Sequence, residues 1–114
     1  MEYLLLIYDY EKRFAGLGPS DFETEFAEYH AFGQEFAGAI KGGNALQPTA
    51  TAKTVRVRDG KPLVTDGPFA ETKEQLGGYY LVEAASPEEA KTIAAKIPSA
   101  RFGCVEVRPI QKFS

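Results

Sequence analysis

Apolar positions follow more than one period along this chain, and each period predicts a different element. Tyr3-Leu-Leu-Leu-Ile-Tyr8 is a continuous apolar run. It is too short for a lone helix and contains an Ile and two Tyr, so it predicts a strand covered on both faces, the condition of a central strand. Asp9 to Pro19 reads as a mostly polar connection. From Ser20 the period becomes helical. At about 100° per residue, Phe22, Phe26, Tyr29, Gly33, Phe36 and Ala37 share one face, an aromatic stripe expected to be buried, with His30 and Phe32 flanking it. Ser20-Asp-Phe-Glu23 has capping-box spacing and predicts the start of this helix; Gly38 predicts its end.

Ala39 to Pro48 predicts a short extended segment, and Thr49 to Lys53 a loop or the approach to the next strand. Thr54 to Arg58 and Lys61 to Thr65 flank Asp59-Gly60, a two-residue hairpin turn. Folding about that turn sets Val55 opposite Val64 and Val57 opposite Pro62, and turns Arg56 and Arg58 the other way. Pro62 cannot donate a ladder hydrogen bond, so the hairpin belongs at or beyond a sheet edge, as an arm able to reach a second subunit. Tyr79 to Glu83 predicts a strand. Ser86-Pro-Glu-Glu89 is a second capping box, and Ala90, Ile93, Ala94 and Ile97 give the following helix one apolar face that Pro98 terminates. Cys104 to Arg108 alternates as a half-buried strand does, and Pro109 to Ser114 reads as a tail.

The order is β-α-β-β-α-β with an inserted hairpin, the ferredoxin-like split βαβ pattern of an α+β fold. Helices on one side leave a second apolar sheet face, carrying alternate residues of Tyr3 to Tyr8 and of Tyr79 to Val82. A C2 homodimer of the dimeric α+β barrel type, sheets packed face to face, is the expected way to cover it.

Composition narrows the function classes. At 114 residues, 44% hydrophobic and 25% charged, the chain fits one globular domain over residues 1–114. A net charge of -3 supplies no overall footprint for nucleic acid. The longest apolar run falls far short of the roughly 20 residues a spanning helix needs, and it lacks the basic flank of a signal peptide. No membrane partner is expected, and a cytoplasmic location is the default. One cysteine makes no internal disulfide, one histidine and one cysteine make no closed zinc site without carboxylates or a second chain, and no metal or cofactor is expected.

Candidate chemistry gathers between Val64 and Glu83. Here a strand end, an Asp-Gly-Pro turn, a charged segment and a second strand follow in quick succession. Thr65-Asp-Gly-Pro-Phe-Ala-Glu-Thr-Lys-Glu-Gln-Leu-Gly-Gly-Tyr-Tyr80 resembles the signature of the DGPF branch of the YCII-related family. Met1 to Tyr8, Ala45 to Pro48, Val55 to Gly60 and Val105 to Ile110 resemble that branch too, so the likeness covers essentially the whole chain. The resemblance implies a ferredoxin-like fold, usually dimeric, and no defined activity. A histidine and an aspartate in the wider family imply an enzyme, whereas links of some DGPF members to sigma-factor domains imply a role in transcription initiation. Asp66 lies in the matching motif.

Asp66 and His30 are therefore the expected catalytic pair, an acid and a base near neutrality. Asp66 reads equally as a turn carboxylate bonding a nearby N–H such as that of Phe69, and His30 as an exposed helix residue. Tyr79, Tyr80, Tyr3 and Phe69 are the expected ligand-binding residues, with core or interface packing as the alternative for the tyrosines. Arg56, Arg58 and Arg108 suit an anion or a solvated face. The enzyme reading is proton transfer or hydrolysis on a small molecule without a redox cofactor. The competing reading is a homodimeric interaction module whose partner is a sigma-factor-related protein.

Overall fold

The computed structural model describes residues 1–113; of the predicted tail, Ser114 lies outside them. The apolar run forms the middle of β1 (Glu2–Asp9), which lies between β5 (Gln75–Glu83) and β6 (Cys104–Pro109) and is antiparallel to both. β2 (Ile40–Ala45) pairs with the far side of β5, giving the order β2-β5-β1-β6. Two helices, α1 (Pro19–Glu35) and α2 (Pro87–Ala95), complete the ferredoxin-like arrangement. No helix among the described residues is long and apolar enough to cross a membrane.

Burial along β1 alternates. Tyr3, Leu5, Ile7 and Asp9 are buried, while Leu4, Leu6 and Tyr8 are half-buried. The buried set packs with Phe32 of α1 and with Ala90, Ile93 and Ala94 of α2, so both helices cover the same face. Within one chain the run is therefore sealed on one face only. The opposite face carries Leu4 and Leu6, in register with Leu81 and Tyr79. β5 starts at Gln75, earlier than its apolar residues announce, because its register with β1 shifts between Ile7 and Tyr8 and brings Leu76 and Gln75 opposite Tyr8 and Asp9.

The two helices answer differently to their sequence patterns. α2 follows its capping box: the Glu89 N–H donates to Ser86 Oγ at 3.2 Å, and the Glu89 carboxylate accepts from the Ala85 N–H at 3.1 Å. Its apolar face is buried as expected. α1 is capped two residues before the predicted Ser20, which lies inside the helix, and it ends at Glu35, short of Gly38. Gly18 is its N-cap, Pro19 its first residue, and the Asp21 carboxylate accepts the Gly18 N–H at 2.9 Å. Pro at the first helical position has its φ preset and no N–H to leave unpaired, so the helix begins there.

The predicted aromatic stripe of α1 is corrected over its first half. Phe32, expected at the flank, is the buried residue of the helix, with Tyr29 and Phe36 partly buried beside it. Phe32 contacts Phe36 and Tyr80 at centroid distances of 5.2 and 5.1 Å. Phe22 and Phe26 are 37% and 75% exposed. Only the C-terminal half of α1 is seated on the sheet, through Tyr29, Phe32 and Phe36; the N-terminal half stands off it.

The hairpin forms as read. β3 (Lys53–Arg58) and β4 (Lys61–Asp66) pair with Val55 opposite Val64 and Val57 opposite Pro62. Asp59 and Gly60 have φ of 53° and 74°, the double positive φ of a type I′ turn. It is a separate two-stranded sheet. Just before β6 the chain passes very close to β1 at Gly103. A Cβ there would lie 2.0 Å from the Tyr8 carbonyl oxygen, so glycine is required.

Candidate functional site

Where the first half of α1 lifts from the sheet, a cavity of about 860 Å³ opens. Its walls are the end of β1 (Ile7, Asp9), the two-turn segment after it (Glu11, Lys12, Arg13, Phe14), α1 (Phe22, Glu25, Phe26, Tyr29), the end of β2 with Leu46 to Pro48, and Gln75 with Gly77 to Tyr80 of β5. A volume of that order, with mostly apolar walls and a few polar groups, is typical of small-molecule sites.

The polar groups converge. Asp9 is 6% exposed. Its Oδ1 accepts the Tyr10 N–H at 2.7 Å and Arg13 Nε at 3.2 Å, and its Oδ2 accepts Arg13 Nη2 at 2.6 Å. Arg13 Nη1 donates to Glu25 Oε1 at 2.9 Å. One guanidinium thus bridges two carboxylates, with side-chain exposures of 16%, 8% and 16% for Arg13, Asp9 and Glu25. The Arg13 guanidinium also lies over the rings of Phe14 and Phe102, at 4.5 and 4.0 Å from their centroids. Hydrogen bonding to Asp9, then to Glu25, holds the Arg13 pKa above its ordinary value despite burial. The node therefore carries two acids against one permanently charged base, and its surplus of acceptor oxygen borders an apolar space.

A second polar pair lies in the same wall. The hydroxyls of Tyr29 and Ser99 are 2.6 Å apart, and Ser99 is buried. Burial pushes the Tyr29 phenol up, with smaller upward contributions from Asp9 and Glu25, so it stays protonated and remains a donor. Burial does the same for Tyr80. The Glu11 carboxylate accepts from both the N–H and the hydroxyl of Thr49, at 2.7 and 2.9 Å, and ties the β1 end to the loop beyond β2. Among the described residues no group of three His, Cys, Asp or Glu side chains is placed to hold a metal ion.

The residues singled out from sequence are distributed differently. Tyr79 and Tyr80 both contribute to the cavity wall. The Tyr79 hydroxyl accepts from Asn44 Nδ2 at 2.8 Å. Tyr3 is a core residue, 2% exposed, and is not in the wall. Asp66 and His30 do not border the cavity, and both are exposed. Asp66 pairs with Lys53 across the root of the hairpin, not with the Phe69 N–H. Phe69 is 81% exposed. A hollow of about 380 Å³ does adjoin the turn, lined by Gly67, Pro68, Glu71 and Thr72, without Asp66. Of the arginines, Arg108 pairs with Glu106, and Arg56 and Arg58 are exposed on the hairpin. Cys104 is exposed, its thiol donating to Glu74 Oε2 at 3.2 Å.

Sequence reading passed over Asp9, Arg13 and Glu25. A signal for Asp9 was present: counting by two from Tyr3 through Leu5 and Ile7 reaches it on the helix-covered face. A carboxylate in that register is buried and needs a cation, and Arg13 is four residues on.

Three likenesses bear on the chain. A solved structure of 5-chloro-2-hydroxyhydroquinone dehydrochlorinase from Burkholderia phenoliruptrix AC1100, in complex with 2,5-dihydroxybenzoquinone, superposes with a TM-score of 0.51 at 14% identity. The match covers 97% of this chain and 94% of that one, and at that identity it shows the fold alone. An uncharacterised protein of Rhizobium meliloti (strain 1021) is 38% identical over 114 residues, 96% of this chain and 92% of that protein. The model of the YCII-related domain matches residues 1–114. The chain belongs to the YCII-related domain family.

Proposed function

We propose that this protein binds a small, neutral, hydroxylated ring in the cavity beneath α1 and moves a proton on it. The observation that carries this reading is a buried carboxylate, Asp9, bordering an apolar cavity of about 860 Å³. Phe14, Phe22, Phe26 and Tyr80 offer the faces a planar ring packs against. The Asp9–Arg13–Glu25 node has more acceptor than donor charge, so it favours a ligand that donates a hydrogen bond and disfavours one bearing its own carboxylate. Asp9 is the group placed to accept the ligand proton. Tyr29, kept protonated by burial, is the group placed to donate one to a carbonyl or phenolic oxygen, with Ser99 as the donor in the bond they share. The fold neighbour holds a dihydroxybenzoquinone, a planar oxygenated ring, which supports the size and shape of ligand proposed.

Asp66 and His30 enter this reading only if another chain brings them to a cavity, since within one chain neither borders it. The test is a calorimetric titration of the purified protein with the neutral ring hydroquinone and with 4-hydroxybenzoate as the anionic counterpart. Saturable binding of hydroquinone, weaker binding of the benzoate, and loss of most of the affinity in Asp9→Asn and Tyr29→Phe are expected. Binding that these two substitutions leave intact, or that Asp66→Asn alone abolishes, overturns the assignment.

A further inference from the structure

The β3–β4 arm poses a physical problem. Val55, Val57 and Val64 share one face with Pro62 and are 60%, 61% and 62% exposed. The bonds at the arm's root, Thr54 Oγ1 to the Gly67 carbonyl at 2.8 Å and the Gly67 N–H to the Ala52 carbonyl at 2.7 Å, join its own two sides, and the chain leading into it is tied to the body at Thr49, whose N–H donates to Glu11 Oε1 at 2.7 Å. A two-stranded hairpin on its own is at best marginally stable in water, so a valine face of this kind requires a cover.

The amount of uncovered surface indicates what the cover is. The chain exposes 7954 Å². A compact chain of 12.5 kDa exposes about 6,200 Å², so roughly 1,800 Å² is surplus. Its radius of gyration is 16.2 Å, against about 13 Å for a compact domain of this length. Obligate homodimers bury about 2,000–5,000 Å² in total, half from each protomer, so the surplus matches one protomer's share. A second copy brings an equal surplus and closes the interface by symmetry.

The place where the arm fits is the rim of the cavity. Phe26, Leu46 and Phe22 stand there, 75%, 46% and 37% exposed, around an opening that no element of the same chain closes among the described residues. We infer that the arm of one copy lies with its valine face across the cavity mouth of a second copy, each copy closing the other's site. The site is then incomplete in a single chain. Its effect on ligand rests on the function proposed above; the docking itself does not.

Cysteine cross-linking separates the two. In a Cys104→Ser background, Val57→Cys and Phe26→Cys proteins are purified separately, mixed, allowed to exchange subunits and oxidised. A disulfide-linked dimer in the mixture, and much less in either protein alone, is the expected result. Dimers linked only through Val57→Cys on both chains, a Val57→Cys link to the sheet position Leu6→Cys in preference to Phe26→Cys, or a monomer by sedimentation at micromolar concentration would each overturn the docking. With Val55→Asp and Val64→Asp together, dissociation to monomer and at least a tenfold loss of hydroquinone affinity are expected. If the disulfide forms and no ring ligand binds, the docking stands and the proposed function fails.

Discussion

Removing the positive charge at the centre of the polar node is the sharpest single perturbation. Arg13→Met keeps length and apolar bulk but leaves Asp9 and Glu25, 8% and 16% exposed, without a cation. Breaking a buried pair by deleting one partner costs about 3–5 kcal/mol, because the charge left behind has neither water nor a counter-ion. The lost contacts over Phe14 and Phe102 add about 0.5–2 kcal/mol each. For a chain of this length each kcal/mol moves the melting midpoint by about 4 °C, so the ion-pair loss alone lowers it by about 12–20 °C. Urea denaturation followed by circular dichroism, at one fixed protein concentration, reads the change. The triple substitution Arg13→Met, Asp9→Asn and Glu25→Gln removes the uncompensated charges and is expected to recover at least half the loss. A single-variant cost below about 1 kcal/mol, the range of solvent-exposed pairs, would refute the placement of this node in a low-dielectric wall.

Other substitutions probe the scaffold. Leu5→Ala, at a position with no exposure in the central strand, is expected to cost about 2–5 kcal/mol by the same denaturation. Gly103→Ala forces a Cβ onto the Tyr8 carbonyl and is expected to cost about 1–3 kcal/mol, whereas Gly38→Ala, with open space around it, should cost far less. Alkaline stability tests the buried phenols. Tyr29 and Tyr80 hold their protons more tightly folded than unfolded, so unfolding releases protons and rising pH favours it. Their contribution is fully present below about pH 10, the unfolded phenol value, and disappears as pH climbs through the folded values. Tyr29→Phe should flatten that decline in a pH series of melting temperatures.

Elements whose burial is local were legible in the sequence. The Asp59-Gly60 turn fixed the Val55–Val64 register without reference to anything else, and Ser86 and Glu89 capped α2 through bonds within four residues. The central strand was legible from length and composition. What was not legible depended on how elements sit against one another. The phase of α1 looked like one continuous stripe because Phe22, Phe26, Tyr29 and Phe36 share an angular sector. Only the tilt of the helix decides that Tyr29 and Phe36 pack while Phe22 and Phe26 line a gap. The Asp-Gly-Pro turn was prominent as a motif, yet it sits at the root of the projecting arm, where Asp66 faces solvent. Asp9 was hidden for the opposite reason, closing an apolar run where a polar residue looks like the start of a loop.

The most direct measurement is a crystal structure of the protein grown with hydroquinone. The expected result is ring density between α1 and the sheet, against Phe22 and Tyr80, with a ligand oxygen within hydrogen-bond distance of the Asp9 carboxylate. A ring bound instead at the Gly67–Pro68 turn, or a cavity filled by side chains of a neighbouring copy with no room for ligand, would contradict it.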